Sequence, residues 1–200
     1  MRLKDENKEI VIRKKAMEMI VNEGFDGLSM QKLAKRANIS PSTIYVYFDS
    51  REELVNRLYS EVQEKFEKDA LHNFSENLRF KEGLWLQWKN RLTNIIQNPL
   101  AYQFYEQFRN SPLIHQKNMK PAAFIKAMQA FTYNAVHNKE IVDLPPEIFW
   151  AVAYGPFYTL VKFHLDKATM AGTAFSLTEQ KLWQCFELVM KALTFESTEK

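Results

Sequence analysis

Apolar residues recur along this chain at intervals of three and four positions, which is the period of an α-helix with one buried face. Signals for β-strands are scarce. Glycine occurs only five times, and no Asn-Gly or Asp-Gly pair stands between two runs of alternating apolar and polar residues. The pattern therefore predicts an all-α chain.

The first third of the chain carries dense signals for helix boundaries. Gly24 is a natural stop for the first helix. Ser29 and Ser40 are suited to be N-caps of two short helices, since each is flanked by apolar residues five positions apart that form a hydrophobic staple. Ser50 and Glu53 form a capping box, in which the Glu53 side chain reaches back to the Ser50 backbone. The four predicted helices span about residues 7–23, 29–36, 40–46 and 50–73.

Only residues 37–39 separate the second and third helices, which is the geometry of a helix-turn-helix. Any small helical hairpin has the same spacing. The side chains must therefore distinguish a DNA-binding helix-turn-helix from an ordinary helical hairpin. Ile44 and Phe48 form an apolar inner face on the third helix. The outer face carries hydroxyl groups suited to phosphate oxygens and thymine methyl groups, namely Ser42, Thr43, Tyr45 and Tyr47. This outer face favours the DNA-binding alternative.

Five more helices are predicted between residues 74 and 200, which makes nine in total. Pro112 and Pro121 punctuate the chain before the seventh helix, and the pair Gly155-Pro156 is expected to kink or break the eighth. The fifth helix is indicated by an apolar stripe that begins at Leu84, and the sixth begins at Pro99. The seventh is indicated by an apolar stripe that begins at Phe124. The eighth begins at the pair Pro145-Pro146, and the ninth at a capping box from Ser176 to Glu179.

The composition suits a soluble globular protein of one or two domains. A chain of 200 residues with 46% apolar content can bury a core, which excludes disorder. No stretch approaches the roughly 18 consecutive apolar residues of a membrane-spanning helix. The charged N-terminal segment lacks the apolar core of a secretory signal, and the single cysteine cannot form an internal disulfide. We therefore expect a cytoplasmic protein without a membrane partner.

Charge and aromatic residues are unevenly distributed. Residues 1–51 contain ten basic and seven acidic residues, so the whole net charge of +3 arises there, whereas 21 of the 27 aromatic residues follow residue 70. This asymmetry predicts two functional halves. We call them the head, residues 1–50, which holds the helix-turn-helix, and the body, residues 51–200, a helical regulatory domain.

The sequence offers no arrangement typical of an active site. Its four histidines are scattered, and no Ser/His/Asp set, glycine-rich phosphate loop or His-Glu-x-x-His motif is present. We therefore predict a protein that is not an enzyme and needs neither a cofactor nor a metal. The alternative to DNA binding is a helical module that uses its helix-turn-helix to hold a partner protein.

Several short segments occur in a characteristic order between residues 8 and 54. They are Gly24–Met30, Leu33-Ala34 with Ala37, Ile39-Ser40, Thr43–Phe48 and Arg51–Leu54. This order resembles the DNA-binding domain of the tetracycline-repressor (TetR) family of bacterial transcriptional regulators. The family usually has glycine where this chain has Asn38, and asparagine also accepts a left-handed backbone.

The resemblance implies roles in DNA binding for five of the nine candidate residues. Thr43 and Tyr45 would approach the bases, and Tyr47 would hold a phosphate. Ser29 and Arg51 stand where helices begin, and unpaired N–H groups there favour an anion. The N-cap role of Ser29 is compatible with such a contact. The full set is Ser29, Lys32, Ser40, Pro41, Ser42, Thr43, Tyr45, Tyr47 and Arg51.

The resemblance also implies that the body encloses an inducer pocket and that its last two helices pair in a homodimer. Ordinary core packing is the alternative role for the pocket candidates, which are Trp85, Trp88, Phe104, Tyr105, Phe108, Met128 and Phe131. The candidates for the dimer interface are Phe149, Trp150, Ala153, Tyr154, Phe157, Trp183, Phe186 and Met190. The implied function is that of a homodimeric repressor, released from a palindromic double-stranded DNA operator by a small apolar or aromatic inducer.

Overall fold

The computed structural model describes residues 6–113 and 123–195, and within these ranges the chain forms nine α-helices. The predicted fold class is confirmed, while the predicted punctuation at Pro121 lies outside the described residues. None of the described helices combines the length and apolarity that a membrane crossing requires. The helices are α1 Glu6–Gly27, α2 Met30–Arg36, α3 Pro41–Ile44, α4 Arg51–Ala70, α5 Phe80–Gln97, α6 Pro99–Arg109, α7 Ala123–His137, α8 Pro146–Asp166 and α9 Glu179–Leu193.

Three local details in the first four helices differ from the prediction. Gly24 interrupts α1 with a φ of 74°, but helical structure resumes and reaches Gly27. Helix α3 ends at Ile44, and residues 45–47 form turns. The Glu53 carboxylate accepts the backbone N–H of Asp49 rather than that of Ser50. The Glu53 N–H donates to Ser50 Oγ at 3.0 Å, so Ser50 still caps α4 as predicted.

The last two helices also differ from the prediction. Helix α8 runs unbroken past Gly155-Pro156. A proline inside a helix costs about 3 kcal/mol, and the complete burial of Tyr154 and Phe157 on either side of the pair offsets that cost. Helix α9 begins at Glu179 and not at a capping box from Ser176, because the Thr178 side chain accepts the Lys181 N–H at 3.3 Å.

The chain packs as two compact units. The described part of the first unit is residues 6–67 and 95–113, and that of the second is residues 68–94 and 123–195. Packing therefore does not follow the predicted line at residue 50, since α6 packs on α1 and shares its core. A functional boundary between head and body at residue 50 stays a prediction.

Aromatic rings hold the first unit together around Phe108. Its ring stacks on Tyr59 with centroids 4.1 Å apart and meets the edge of Phe25 at 6.0 Å. Tyr59 also stacks on Tyr105 at 5.3 Å. The Gln107 side chain donates to the backbone oxygen of Val21 at 3.1 Å, which adds a polar tie between α6 and α1. The helix-turn-helix and α6 therefore share one core.

The core of the second unit is built around Trp88. This fully buried ring lies 5.2 Å from Phe157 and 5.3 Å from Phe186, and its indole N–H donates to the Ala153 oxygen at 2.9 Å. A close approach occurs at Gly83, where an added Cβ atom would lie 2.5 Å from the Phe131 ring. Only glycine lets α5 and α7 approach this closely.

Candidate nucleic-acid interface

The helix-turn-helix is fixed by two N-caps and one left-handed residue. Ser29 Oγ accepts the Lys32 N–H, and Ser40 Oγ accepts the Thr43 N–H, each at 3.2 Å. Both predicted caps are confirmed. Asn38 has a φ of 53°, which asparagine tolerates better than most residues. These local features allow four residues to connect α2 and α3.

The recognition segment, residues 40–46, has a buried apolar face and an exposed polar face. Ser40 Oγ lies 2.8 Å from both Ser42 Oγ and Thr43 Oγ1, so the three hydroxyls form a cluster. Ser40, Pro41 and Ser42 are exposed, and Thr43 is half-buried. Inward-facing Ile44 is fully buried, whereas Tyr45 is 51% exposed. The segment therefore presents hydroxyl groups to the outside, as the sequence predicts.

Val46 was not singled out by the sequence analysis. This apolar side chain is 44% exposed, immediately after the exposed Tyr45. The signal that could have found it is its position inside the run of hydroxyl-bearing residues. An exposed methyl-rich side chain at this place is suited to contact a thymine methyl group.

Tyr47 does not lie on the exposed face where the sequence placed it. It is only 6% exposed and belongs to the apolar core of the first unit. The physical reason is that α3 ends at Ile44, so the turn that follows carries Tyr47 inward. Its contact with phosphate stays a prediction.

Arg51 has a role in the structure that the sequence did not reveal. Its Nε donates to the backbone oxygen of Leu28 at 2.9 Å, and its Nη2 donates to that of Phe25 at 2.5 Å. A third contact, from Nη1 to the Glu52 carboxylate, measures 3.5 Å. The guanidinium therefore ties the start of α4 to the connection between α1 and α2. Only the folded chain brings these residues together, because they lie 23 and 26 positions apart.

Several cations of the first unit are paired with carboxylates. Arg13 lies 2.7 Å from Glu9 and 2.6 Å from Glu61, and Arg57 contacts the same two carboxylates at 3.2 Å. This network joins α1 to α4 and gives Arg13 a structural role. Lys32 is exposed in the first turn of α2, and its role as a candidate DNA contact stays a prediction.

The pocket candidates are divided between the two units. Phe104, Tyr105 and Phe108 lie in the first unit, while Trp85, Trp88, Met128 and Phe131 lie in the second. Each packs in the core of its own unit or at its margin, and Trp85, for example, meets the edge of Trp183 at 4.8 Å. Their placement agrees with the alternative role in core packing.

Most candidates for the dimer interface are covered by their own subunit. Trp150 and Trp183 are 37% and 40% exposed and remain available to a partner. The others serve the core of the second unit, and these are Phe149, Ala153, Tyr154, Phe157, Phe186 and Met190. The sequence could not separate the inner and outer sides of α8, because apolar residues occur on more than one of its faces.

Comparison with known proteins identifies the helix-turn-helix. Residues 12–58 match the family described as bacterial regulatory proteins, tetR family. The helix-turn-helix of this chain is therefore similar to that of tetR-family regulatory proteins. This family consists of regulatory proteins rather than enzymes, in agreement with the prediction.

Two sequence relatives match part of this chain. A Haemophilus influenzae protein, named an uncharacterized HTH-type transcriptional regulator, is 33% identical over 94 residues, which are 47% of this chain and 50% of the relative. A Bacillus subtilis protein, named a fatty acid metabolism regulator protein, is 31% identical over 71 residues, or 36% of this chain and 37% of the relative. The chain thus matches half or less of the length of each relative.

Solved structures described as TetR-family regulators share the fold over nearly the whole chain. A transcription regulator from Marinobacter aquaeolei has a TM-score of 0.79 at 23% identity, and the match covers 96% of this chain and 98% of that one. A transcriptional regulator from Haemophilus influenzae has a TM-score of 0.71 at 22% identity, covering 94% and 99%. The helical body therefore has the fold found in TetR-family proteins.

Proposed function

We propose that this protein is a transcriptional repressor that binds a palindromic DNA operator as a homodimer, in the cytoplasm, and leaves it when a small molecule binds the body. The observation that carries the proposal is the exposed hydroxyl surface of the recognition segment, formed by Ser42, Thr43 and Tyr45 above the buried Ile44. In a helix-turn-helix, the side chains of the second helix contact base edges in the major groove.

The decisive experiment is selection of bound duplexes from a random DNA pool at about 0.15 M salt, where non-specific attraction is substantially screened. Enrichment of a two-fold palindrome is the expected result. Recovery of no common sequence would contradict the proposal and favour a head that binds protein. Thermal stabilisation by the selected duplex separates these alternatives further, because only a bound ligand protects the fold by mass action.

Replacing Tyr45 and Lys32 should give different kinds of DNA-binding defect. We expect Tyr45→Ala to weaken operator binding about tenfold and to relax the preference at one base position, because the ring is exposed and would face the bases in the proposed complex. We expect Lys32→Gln to weaken binding to all duplexes alike. It should also reduce the slope of log K against log salt concentration by about 0.9 per subunit. Binding isotherms at several salt concentrations measure both effects. A uniform effect of Tyr45→Ala would contradict its assignment.

We propose that the homodimer forms through the outward sides of α8 and α9. Small residues recur every fourth position on α8 at Ala151, Gly155 and Thr159, and each is exposed or half-buried. A Cβ atom at Gly155 would meet no neighbouring atom within 4 Å, so its surface is open in the single subunit. On α9, Leu188 is 65% exposed. Small residues let two helices approach closely, and an exposed leucine gains from being covered.

Two substitutions at Gly155 should distinguish this interface from an ordinary surface. We expect Gly155→Arg to produce monomers, since a long cation has no room between closely packed helices. Gly155→Ala should keep the dimer and raise the free energy of unfolding by about 0.5–1 kcal/mol through helix propensity. Light scattering after gel filtration reports the oligomeric state. A dimer that survives Gly155→Arg would exclude α8 from the interface.

The proposed release from DNA needs a body whose ligand affinity differs between two arrangements of the dimer. A ligand can shift an equilibrium only by its differential affinity for the two states. Equal operator affinity with and without a saturating body ligand would contradict this part of the proposal, whatever the outcome of the DNA selection.

A further inference from the structure

One side chain of α4 contacts both α1 and the chain just after the recognition segment. The Arg57 guanidinium carbon lies 5.5 Å from the ring centre of Phe48, two residues beyond that segment. Its Nη2 lies 3.2 Å from Glu9 Oε1 on α1, and its Nε donates to Glu61 Oε1 on its own helix, also at 3.2 Å. A planar guanidinium can meet an aromatic ring and two carboxylates at once.

Arg57 is the middle of three side chains that lie on the same face of α4. Glu53, Arg57 and Glu61 follow one another at intervals of four residues. The Glu53 carboxylate accepts the Asp49 N–H, and the Arg57 guanidinium lies over the Phe48 ring. This face of α4 therefore contacts two successive residues of the connection between the recognition segment and α4.

Phe48 links this face of α4 to the recognition segment. Its ring is 1% exposed and lies in the same apolar core as Ile44. The N–H groups of Tyr47 and Phe48 both donate to the Ile44 oxygen, at 2.9 and 3.0 Å. These two bonds close the turn that contains the exposed Tyr45 and Val46. The placement of both exposed side chains therefore depends on where the Phe48 ring is held.

We propose that Arg57 is a positioning residue for DNA recognition. It holds Phe48, and with it the recognition segment, in the arrangement that binds the operator, without itself contacting DNA. The inference rests on the proposed function, because it names a residue on which operator affinity depends. Without these contacts the segment would populate other arrangements, and the apparent affinity falls in proportion to the fraction of molecules in the competent one.

Two other roles of Arg57 would give different experimental results. An arginine that contacts a DNA phosphate contributes about 0.9 per subunit to the slope of log K against log salt concentration. An arginine that only stabilises the fold changes the free energy of unfolding and leaves DNA binding by the folded protein unchanged. A positioning residue lowers operator affinity and leaves the slope as it is.

Arg13 provides a matched control, because it pairs with the same two carboxylates as Arg57. It lies on α1, 2.7 Å from Glu9 and 2.6 Å from Glu61. Arg13→Met and Arg57→Met each remove one positive charge and leave both carboxylates beside one arginine. The Arg57 side chain is 42% exposed, so its replacement should leave the protein folded. A difference between the two variants therefore reports the contact of Arg57 with Phe48.

The first measurement is amide hydrogen exchange in the full-length protein without DNA. We expect Arg57→Met to speed exchange of the Tyr47 and Phe48 amides about two- to fivefold relative to the amides of α6, which report opening of the shared core. Arg13→Met should leave this ratio unchanged. Equal ratios in the two variants would overturn the inference.

The second measurement is a set of binding isotherms with the selected duplex at several salt concentrations. We expect Arg57→Met to weaken operator binding about two- to fivefold per subunit with an unchanged slope, and Arg13→Met to bind as the unchanged protein does. A slope reduced by about 0.9 per subunit would make Arg57 a phosphate contact. Equal affinities of the two variants would make Arg57 a residue that only stabilises the fold. Either result would overturn the inference.

Failure of this inference and failure of the proposed function are distinguishable. If Arg57→Met speeds exchange of the two amides but no common duplex is selected from the random pool, Arg57 holds the segment and the proposed DNA-binding function fails. If a palindrome is selected and the two variants agree in exchange and in affinity, the DNA-binding function stands and the positioning role fails.

Discussion

Phe108→Ala is expected to lower the free energy of unfolding by about 3–5 kcal/mol. The Phe108 ring is fully buried, stacks on Tyr59 and meets Phe25, so its removal opens a cavity where α1, α4 and α6 share one core. The loss combines the transfer free energy of the ring with the contacts that its neighbours no longer make. Urea unfolding followed by circular dichroism measures it.

Phe108→Leu is the matched control for this prediction. Leucine fills much of the same volume and keeps the site apolar, so the loss should be clearly smaller than that of the alanine variant. If Phe108→Ala cost less than about 1 kcal/mol, the site would be one that collapses freely around a missing ring. That result would contradict a shared core of α6 and the helix-turn-helix.

Arg51→Met is expected to lower the free energy of unfolding by about 2–3 kcal/mol, because hydrogen bonds from a charged donor contribute about 1.5–3 kcal/mol each and the group is partly exposed. The variant removes the donors to the backbone oxygens of Phe25 and Leu28 while retaining an apolar side chain of similar length. Unfolding in urea provides the measurement.

Arg51→Lys separates geometry from charge. A lysine ammonium is a compact point charge and cannot reproduce the planar fork that reaches both oxygens, so it should restore little of the lost stability. It does restore the charge. The alternative is that Arg51 acts mainly on a DNA phosphate. In that case Arg51→Met should reduce the slope of log K for DNA binding against log salt concentration by about 0.9 per subunit, and Arg51→Lys should restore the slope. A full loss of salt dependence without a loss of stability would contradict the structural role.

Local features of the fold could be read from the sequence because their partners are close in the chain. The N-caps at Ser29, Ser40 and Ser50 each accept an N–H three residues away, and Pro99 begins α6 as predicted. The period of apolar residues depends only on the geometry of one helix. The same is true of Asn38, whose own side-chain chemistry permits its left-handed backbone.

Roles that depend on distant partners could not be read in this way. From the sequence, Arg51 stands at the start of a helix and is predicted to contact a DNA phosphate. Only the folded chain shows that its guanidinium donates to the backbone oxygens of Phe25 and Leu28. Tyr47 carries a hydroxyl suited to phosphate, yet the turn after α3 places its ring in the core.

The sequence by itself determined the all-α class, the nine helices of the described residues and a helix-turn-helix similar to that of the tetR family. Tertiary structure alone decided which apolar side chains form the core and which remain exposed. Phe157 and Leu188 are equally apolar letters in the sequence, but the first is fully buried and the second is 65% exposed. The reason is physical: the hydrophobic effect is non-directional, so it drives apolar residues to be covered without specifying which neighbour covers them.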